Sequence, residues 1–379
     1  MKKIYYWCPF IGNVATVKAV INSAYSLSKF SKNEFEPTII NSCGEWDNFQ
    51  SILKQKKIKT KKFKNRFKIK INVNGFLKSR ITYIKVFFSS FFLLRNTLKN
   101  DEPEYLIAHL ITSLPLFLYL LFNFKTKLII RISGKVKMNL FRKLFWNMCK
   151  KNISLITCPT KETQREFINL NLVKDDKIIY LPDPIIEIDE IIKDKKKSLN
   201  DMDFNKNFFV MIGRYTKQKN HILAIKCFKR LIHRLNNIDL VIIGSGELRK
   251  EYLNEINELN LNKRVKLIDY QKNIIPYLSK ASLLISPSLW EDPGFVMIEA
   301  AACNTFVISS NCQSGPKEFL QKKNGLLFEN NNINDFENKL IEYLNMSEKE
   351  IKITKIGAKK NSAQFTKFRH YKIIKSYLN

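Results

Sequence analysis

Two acids and two cations in the second half of the chain are spaced as if to hold a charged, hydroxyl-rich ligand. The acids are Glu291 and Glu299, eight positions apart in LWEDPGFVMIEAAACN (289–304), the first just before a Pro-Gly turn and the second after it. The cations are Arg214 and Lys219 in IGRYTKQKN (212–220), just after an apolar run that ends at Gly213. A guanidinium is a planar fork and an ammonium a point charge, and together they suit a diphosphate. A carboxylate accepts hydrogen bonds from vicinal hydroxyls, so each acid can grip a sugar ring. The run VMIEAAA opens a helix, whose first amides and positive dipole end favour phosphate. Taken singly, each feature has an ordinary explanation too. Many βα loops carry a basic pair, Glu299 complements a helix dipole, and Glu291 is a loop acid in solvent.

These residues need a scaffold that brings loops together. In the first half, Ile4–Trp7, Thr38–Ile40, Tyr105–Leu110, Lys127–Ile132, Leu155–Cys158 and Ile178–Leu181 read as strands. In the second, Phe208–Ile212, Leu240–Ile243, Val265–Leu267, Leu283–Ser286 and Phe306–Ser309 do so. Helical patterns such as Lys18–Phe30, His221–Arg234 and Leu248–Leu259 lie between them, and this alternation implies βαβ units and parallel sheets. Two such series predict an α/β chain of two Rossmann-like, doubly wound domains. The expected boundaries are 1–184, a charged linker over 185–205, 206–350, and a helical segment over 351–379 that packs back on the first domain. The uncharged stretch 105–124 meets the length rule for a membrane span. It is broken by His109, Thr112, Ser113 and Pro115, and so reads as a buried strand, a turn and a buried helix.

The totals bound the function. The chain has 379 residues and a net charge of +31. That charge implies an anionic partner (nucleic acid, anionic lipid or a phosphorylated substrate) or else a lysine-rich codon bias spread over every solvated face. Residues 51–70 hold ten Lys/Arg and no acid. With Phe63 and Phe67 they read either as a solvated linker or as a membrane-facing surface. The stretch 142–151 and the helically spaced Phe87, Phe88, Phe91, Phe92 and Arg95 could share that surface. Seven scattered cysteines without a C-x-x-C pair exclude a disulfide framework or zinc site and fit a reducing cytosol. The start, MKKIYYWCPFIGN, reads as a first strand rather than a signal peptide. Asp201-Met202-Asp203 has the spelling of a metal motif but lies in the linker, so no metal site is expected. Gly244-Ser245-Gly246-Glu247-Leu248-Arg249 lacks the third glycine of a dinucleotide fingerprint and reads as a turn.

The ordered set G-R-Y-T-K-Q-K-N, P-S-L-W-E-D-P-G-F-x3-E, S-G-P-K-E-F-L and N-G-L-L-F resembles the C-terminal half of retaining glycosyltransferases of family 4, which have the GT-B fold. The resemblance covers about 208–330 and is looser in the first half. It implies two domains facing each other across a cleft, an acceptor-binding first and a nucleotide-sugar-binding second. By the same resemblance Glu299 binds the ribose hydroxyls, Glu291 the donor sugar, and Arg214 and Lys219 the diphosphate. The backbone of Gly294, Phe295 and Val296 lines the sugar and phosphates. Gly12 and Asn13 approach the diphosphate from the other domain, and His109 sits near the reacting sugar, unless it is simply a satisfied core histidine. The implied reaction is transfer of a hexose, with retention, from a nucleotide sugar (a UDP-sugar) to a lipid-linked or cell-surface glycan. It needs no cofactor or metal, because fixed cations and helix amides stabilise the leaving diphosphate. An anionic membrane surface is an expected partner and nucleic acid is not, with the enzyme peripheral at the cytoplasmic face. The rival reading is a basic nucleic-acid- or membrane-binding protein without catalysis. One departure stands out: the family usually has E-G-F-G-L where this chain has Glu291-Asp292-Pro293-Gly294-Phe295.

Overall fold

The computed structural model describes residues 1–12, 15–69, 76–134, 138–199, 204–321 and 323–378. Asn13 and the Asp201-Met202-Asp203 run lie outside them. The chain divides into two units, Met1–Ile185 with Lys367–Asn379, and Ile186–Thr366.

The first unit is a seven-stranded sheet of β1 (Lys2–Trp7), β2 (Phe35–Asn41), β3 (Lys59–Lys62), β4 (Tyr105–Ala108), β5 (Lys127–Arg131), β6 (Ile153–Cys158) and β7 (Ile178–Tyr180). All neighbours are parallel, in the order β3-β2-β1-β4-β5-β6-β7. Its helices are α1 (Ala15–Phe30), α2 (Gln50–Gln55), α3 (Phe76–Asp101), α4 (Ser113–Leu121), α5 (Leu140–Cys149) and α6 (Lys161–Asn169). Because strand side chains alternate, Tyr5 and Trp7 join one core with α3, α4, α5 and α6, while Ile4 and Tyr6 join a second with α1 on the opposite face. The apolar stretch 105–124 is divided between β4 and α4, and among the described residues no helix is long and apolar enough to cross a membrane.

The second unit begins with α7 (Ile188–Lys195) and builds a six-stranded sheet. Its strands are β8 (Phe208–Ile212), β9 (Asp239–Ile243), β10 (Val265–Ile268), β11 (Leu283–Ser286), β12 (Phe306–Ser310) and β13 (Leu326–Phe328). They are parallel and run β10-β9-β8-β11-β12-β13. The helices are α8 (His221–Arg230), α9 (Arg249–Glu258), α10 (Ile275–Lys280), α11 (Phe295–Ala302), α12 (Gly315–Phe319), α13 (Ile333–Asn345) and α14 (Glu348–Ser362). α15 (Lys367–Lys375) then returns to the first unit.

Three sequence expectations are corrected. The lysine tract over 51–70 is not a plain linker: KTKK forms β3, with no apolar residue to announce it. Parallel pairing to β2 supplies its backbone bonds, and Glu36, Asp101 and Asp47 neutralise Lys59, Lys61 and Lys62. Phe63, which follows, is buried in the core rather than facing a membrane. The stretch 185–205 is in part folded: Ile186 and Ile191 are buried, α7 packs on α10, and Lys280 Nζ donates to the Lys197 carbonyl at 2.8 Å. Of the three isoleucines of α7 only Ile191 turns inward, Ile188 and Ile192 being exposed, so the charged run carried little apolar signal for this short helix. The segment 351–379 is not one body. Asn361 ties α14 to the Phe319 carbonyl at 2.7 Å, within the second unit, and only Lys367 onward belongs to the first.

α15 is held in place by a proton-ordered chain. Pro182 offers only a carbonyl, so His370 Nδ1, 2.8 Å away, carries the hydrogen and donates to it. Burial pushes His370 down to about 3, so its ring is neutral and Nε2 accepts from Ser23 Oγ at 2.9 Å. Ser23 in turn accepts from the Tyr6 hydroxyl at 3.0 Å. The same Leu181–Pro184 segment receives Arg131, which donates to the Leu181 carbonyl and the Asp183 carboxylate, and Asn22, which donates to the Pro184 carbonyl.

His221 is likewise pushed down to about 3 by burial. In the unfolded chain each ring titrates near ~6.5, so below that pH the unfolded state binds more protons. The histidine contribution to stability is therefore present above about pH 6.5 and lost as pH falls, at up to about 1.4 kcal/mol per pH unit for each ring. Urea unfolding of wild type at pH 7 and pH 5 should show this loss, and His370→Gln should lower stability at pH 7 while flattening the slope. An unchanged slope would refute a neutral, buried His370.

Candidate functional site

In a parallel sheet wound in both directions, ligands bind where the winding reverses, beyond the carboxyl ends of the strands. The strand order places that reversal between β8 and β11 in the second unit, and between β1 and β4 in the first. Arg214 and Lys219 follow β8, and Glu291 follows β11. Gly12 follows β1 and His109 follows β4. Each of these five residues thus sits at a reversal, on one of four loops that the topology brings together in pairs.

The loop after β8 is shaped by glycine. A Cβ on Gly213 would stand 3.1 Å from Cδ and Cε of Lys219, so the bare glycine is the bed on which the lysine stem lies. Gly244 and Gly246, after β9, pack on the same loop. A Cβ on either would fall 1.9 Å from the Gly213 carbonyl or 2.5 Å from that of Tyr215. The G-x-G pair is therefore a close-packing device, with Tyr215 N donating to the Ser245 carbonyl at 2.8 Å. Tyr215 itself is fully buried, its hydroxyl 3.0 Å from the carbonyls of Ile242 and Ile268.

Lys219 Nζ forms an ion pair with Glu291 Oε1, and Ser288 Oγ donates to that same oxygen at 2.7 Å. The two charged side chains are only 18% and 11% exposed, which strengthens their attraction relative to a surface pair. Gln218 straps the two loops together. Its carbonyl accepts from Leu289 N at 2.8 Å, its Nε2 donates to the Trp290 carbonyl at 2.9 Å, and its Oε1 accepts from Arg214 Nη2 at 3.3 Å.

The loop from Glu291 turns through a cis Asp292–Pro293 peptide into Gly294, whose φ of 88° is a conformation that favours glycine. Gly294 is the N-cap of α11 and offers no side-chain cap, so the first amides, those of Phe295 and Val296 among them, lack a side-chain acceptor there. Glu299 is the fifth residue of α11 and is buried. Behind the loop, Ser314 bridges to Glu291, and Gly315 packs so closely that a Cβ would stand 2.0 Å from the Pro293 carbonyl oxygen.

In the first unit His109 N donates to the Trp7 carbonyl at 2.7 Å, extending the β1–β4 ladder. Burial, with the nearby charge of Arg131, drives its ring well below the usual histidine range, and Nδ1 has no hydrogen-bond partner among the described residues. It is a neutral imidazole with a spare ring nitrogen, not a cation. Gly12 is half-buried in the bend after β1.

So the structure brings Lys219 and Glu291 into contact and hangs Arg214 on Gln218, while Gly12 and His109 belong to the other unit. Ser288, Gln218 and Gly315 were not singled out from sequence. All three lie inside the quoted motifs, but Gln218 and Gly315 act on Trp290 and Pro293, 72 and 22 residues away, and Ser288 acts on an acid whose own partner is Lys219. Among the described residues no cluster of His, Cys, Asp and Glu could hold a metal ion.

Comparison with known proteins bears on the same region. Residues 191–360 match the family model of glycosyl transferases group 1. The match contains Arg214, Lys219, Glu291 and Glu299, and with them the whole β8–β11 reversal. Over 112 residues the chain is 40% identical to an uncharacterized glycosyltransferase of Methanocaldococcus jannaschii, covering 30% of this chain and 28% of that protein. Over 184 residues it is 32% identical to the N-acetylgalactosamine-N,N'-diacetylbacillosaminyl-diphospho-undecaprenol 4-alpha-N-acetylgalactosaminyltransferase of Campylobacter jejuni, covering 48% of each. The chain thus spans half or less of the length of these curated relatives. The structure of Anabaena HepE in complex with UDP superposes with a TM-score of 0.75 at 16% identity, over 99% of both chains. That likeness, with the two parallel sheets, establishes the GT-B fold.

The packing of Gly315 can be tested without a ligand. Gly315→Ala must displace the Pro293 carbonyl, so a loss of about 1–3 kcal/mol is expected on overpacking grounds. Chemical denaturation that shows no loss would mean the 291–294 loop is not pinned from behind.

Proposed function

We propose that this protein is a retaining, metal-independent hexosyltransferase that uses a nucleotide-diphosphate sugar, a UDP-sugar, and extends a lipid-linked or cell-surface glycan at an anionic, cytoplasmic membrane face. The observation that carries the reading is the Lys219–Glu291 pair at the β8–β11 reversal, beside the uncapped start of α11. It is supported by the group 1 match over the same residues, by the UDP in the HepE structure, and by the diphospho-undecaprenol named in the Campylobacter relative.

The chemistry follows from charge. Breaking the bond between the anomeric carbon and the diphosphate puts negative charge on the leaving group while the sugar takes on positive character. Lys219, Arg214 and the amides of Gly294, Phe295 and Val296 are positioned to stabilise that leaving charge. Without donor, Lys219 is neutralised by Glu291. A diphosphate carries more charge than one carboxylate and competes for the lysine. Glu291, still held by Ser288, then accepts hydrogen bonds from the donor sugar, and Glu299 from the ribose. Attack from the face of the departing phosphate lets that phosphate take the acceptor's proton, so no enzymic nucleophile is required. His109, neutral, acts as a hydrogen-bonding group near the reacting sugar rather than as an acid. Gly12 and Asn13 keep the donor-side role implied by the family resemblance, and Asp292-Pro293 is the place where donor choice is read.

A screen of nucleotide sugars for binding and then turnover tests this. Lys219→Ala should lower kcat/KM by roughly 10²–10³-fold. Glu299→Ala should act chiefly through donor KM, EDTA should leave turnover unchanged, and NMR of the product should show the donor's anomeric configuration. Normal transfer by either variant would remove the site assignment. No thermal shift with UDP, together with salt-sensitive binding of random DNA, would favour the non-catalytic binding protein instead.

A further inference from the structure

The positive charge is not spread evenly. Residues 48–161 contain 25 Lys/Arg and 3 Asp/Glu, a net +22, leaving 65 − 25 = 40 cations and 34 − 3 = 31 acids elsewhere, a net +9. A general lysine bias would have raised the whole chain. Two of those three acids are already paired, Asp101 with Lys61 and Glu102 with Lys125.

The same segment carries an uncovered apolar face. α3, α4 and α5 cover one face of the first sheet and share one core, with α4 packed against both α3 and α5. Phe87 and Phe91 turn inward onto Phe117 of α4, and Val86 and Leu94 are buried. The other side of α3 repeats every fourth residue: Ile84, Phe88 and Phe92 are exposed, the two phenylalanines at 71% and 67%. On α5, Trp146 and Cys149 point in, while Phe141, Leu144 and Met148 are exposed, Phe141 at 81%. Since both helices lie on one face of one sheet, both outward stripes face away from it on the same side. Lys85 and Lys99 are exposed along α3, and Lys143, Lys150 and Lys151 along and just after α5. A monomer rarely leaves so many large apolar side chains uncovered. Apolar side chains among exposed lysines match the boundary between acyl chains and anionic headgroups, where the rings enter and the ammonium groups stay at phosphate level. Nucleic acid offers nothing to Ile84, Leu144 or Met148.

We propose that the outward faces of α3 and α5 together form the surface by which this protein sits on an anionic lipid bilayer. The inference deepens the lipid-linked-acceptor reading and rests on it for its purpose, but its test reads lipid binding alone. Full-length protein is sedimented with vesicles of phosphatidylethanolamine and phosphatidylglycerol, and with phosphatidylcholine vesicles. Binding to the first and not the second is expected. The triple variant Phe88→Ser/Phe92→Ser/Phe141→Ser should weaken it by at least roughly tenfold while keeping the wild-type melting temperature. Lys143→Gln/Lys151→Gln should weaken it too, as should raised salt.

Failure of the wild type to sediment, or undiminished sedimentation of the triple variant, overturns the proposal. So does a dimer, seen by analytical ultracentrifugation, that the triple variant abolishes while vesicles are ignored. Displacement from vesicles by random duplex DNA overturns it in favour of a nucleic-acid surface. A UDP thermal shift on the same samples keeps the two readings apart. Its absence sinks the transferase reading and leaves the vesicle result standing, and its presence in a protein that ignores vesicles does the reverse.

Discussion

A parallel sheet that winds in two directions must leave one gap between strands whose outgoing loops part company, and in the second unit that gap lies between β8 and β11. The ion pair of Lys219 and Glu291 closes it. Around that pair the local sequence becomes intelligible. Gly213 is bare because the lysine stem lies on it, and Gly244 and Gly246 are bare because the next loop must press against the first. Gly315 is bare because the Pro293 carbonyl stands where a methyl group would. Ser288 and Gln218 hold the pair in register. None of these glycines touches a ligand by virtue of a side chain, yet each fixes where charge sits. A partly buried pair of opposite charges is costly to leave unmatched, so the pair itself gives the two loops a preferred arrangement.

Much of this was legible in the sequence, and the exceptions have physical reasons. Strands such as Phe208–Ile212 and Leu283–Ser286 are continuous apolar runs because a parallel strand is buried on both faces, and they read plainly. β3 did not, because it is an edge strand of three lysines and one threonine whose stability comes from pairing and from acids distant in sequence. Arg214, Lys219, Glu291 and Glu299 could be picked out by type and spacing. That Lys219 and Glu291 meet could not, since 72 residues separate them and only the strand order brings them together. The helix stripe over Phe87–Phe92 was visible as a period, but a period does not say which side is covered. Only packing against Phe117 separates the two inward rings from the two outward ones.

The two units also differ in how they manage charge. In the second, cations are drawn into pairs: Lys219 with Glu291, Arg230 with Glu337, Arg264 with Asp239. In the first, acids are so few between residues 48 and 161 that most cations must be neutralised by solvent ions or by a partner. One unit thus uses positive charge at a point, the other over an area.

The return of α15 to the first unit has a consequence for how the protein is made. The core on the α1 face of the first sheet includes Tyr371, Ile374 and Leu378, and Phe30 packs edge-on against Phe368. A ribosome that has finished Ile185 must add the 366 − 185 = 181 residues of the second unit before it reaches Lys367. At about 5–20 residues per second that takes roughly 10–40 s. During this interval the first unit has every strand of its sheet but an open seam along α1, with Tyr6 and Ser23 waiting for His370. The second unit, which is continuous in sequence, can fold in the meantime. The segment from Lys367 therefore completes a unit begun before the second one, and translation order lets the later unit fold before the earlier one is closed.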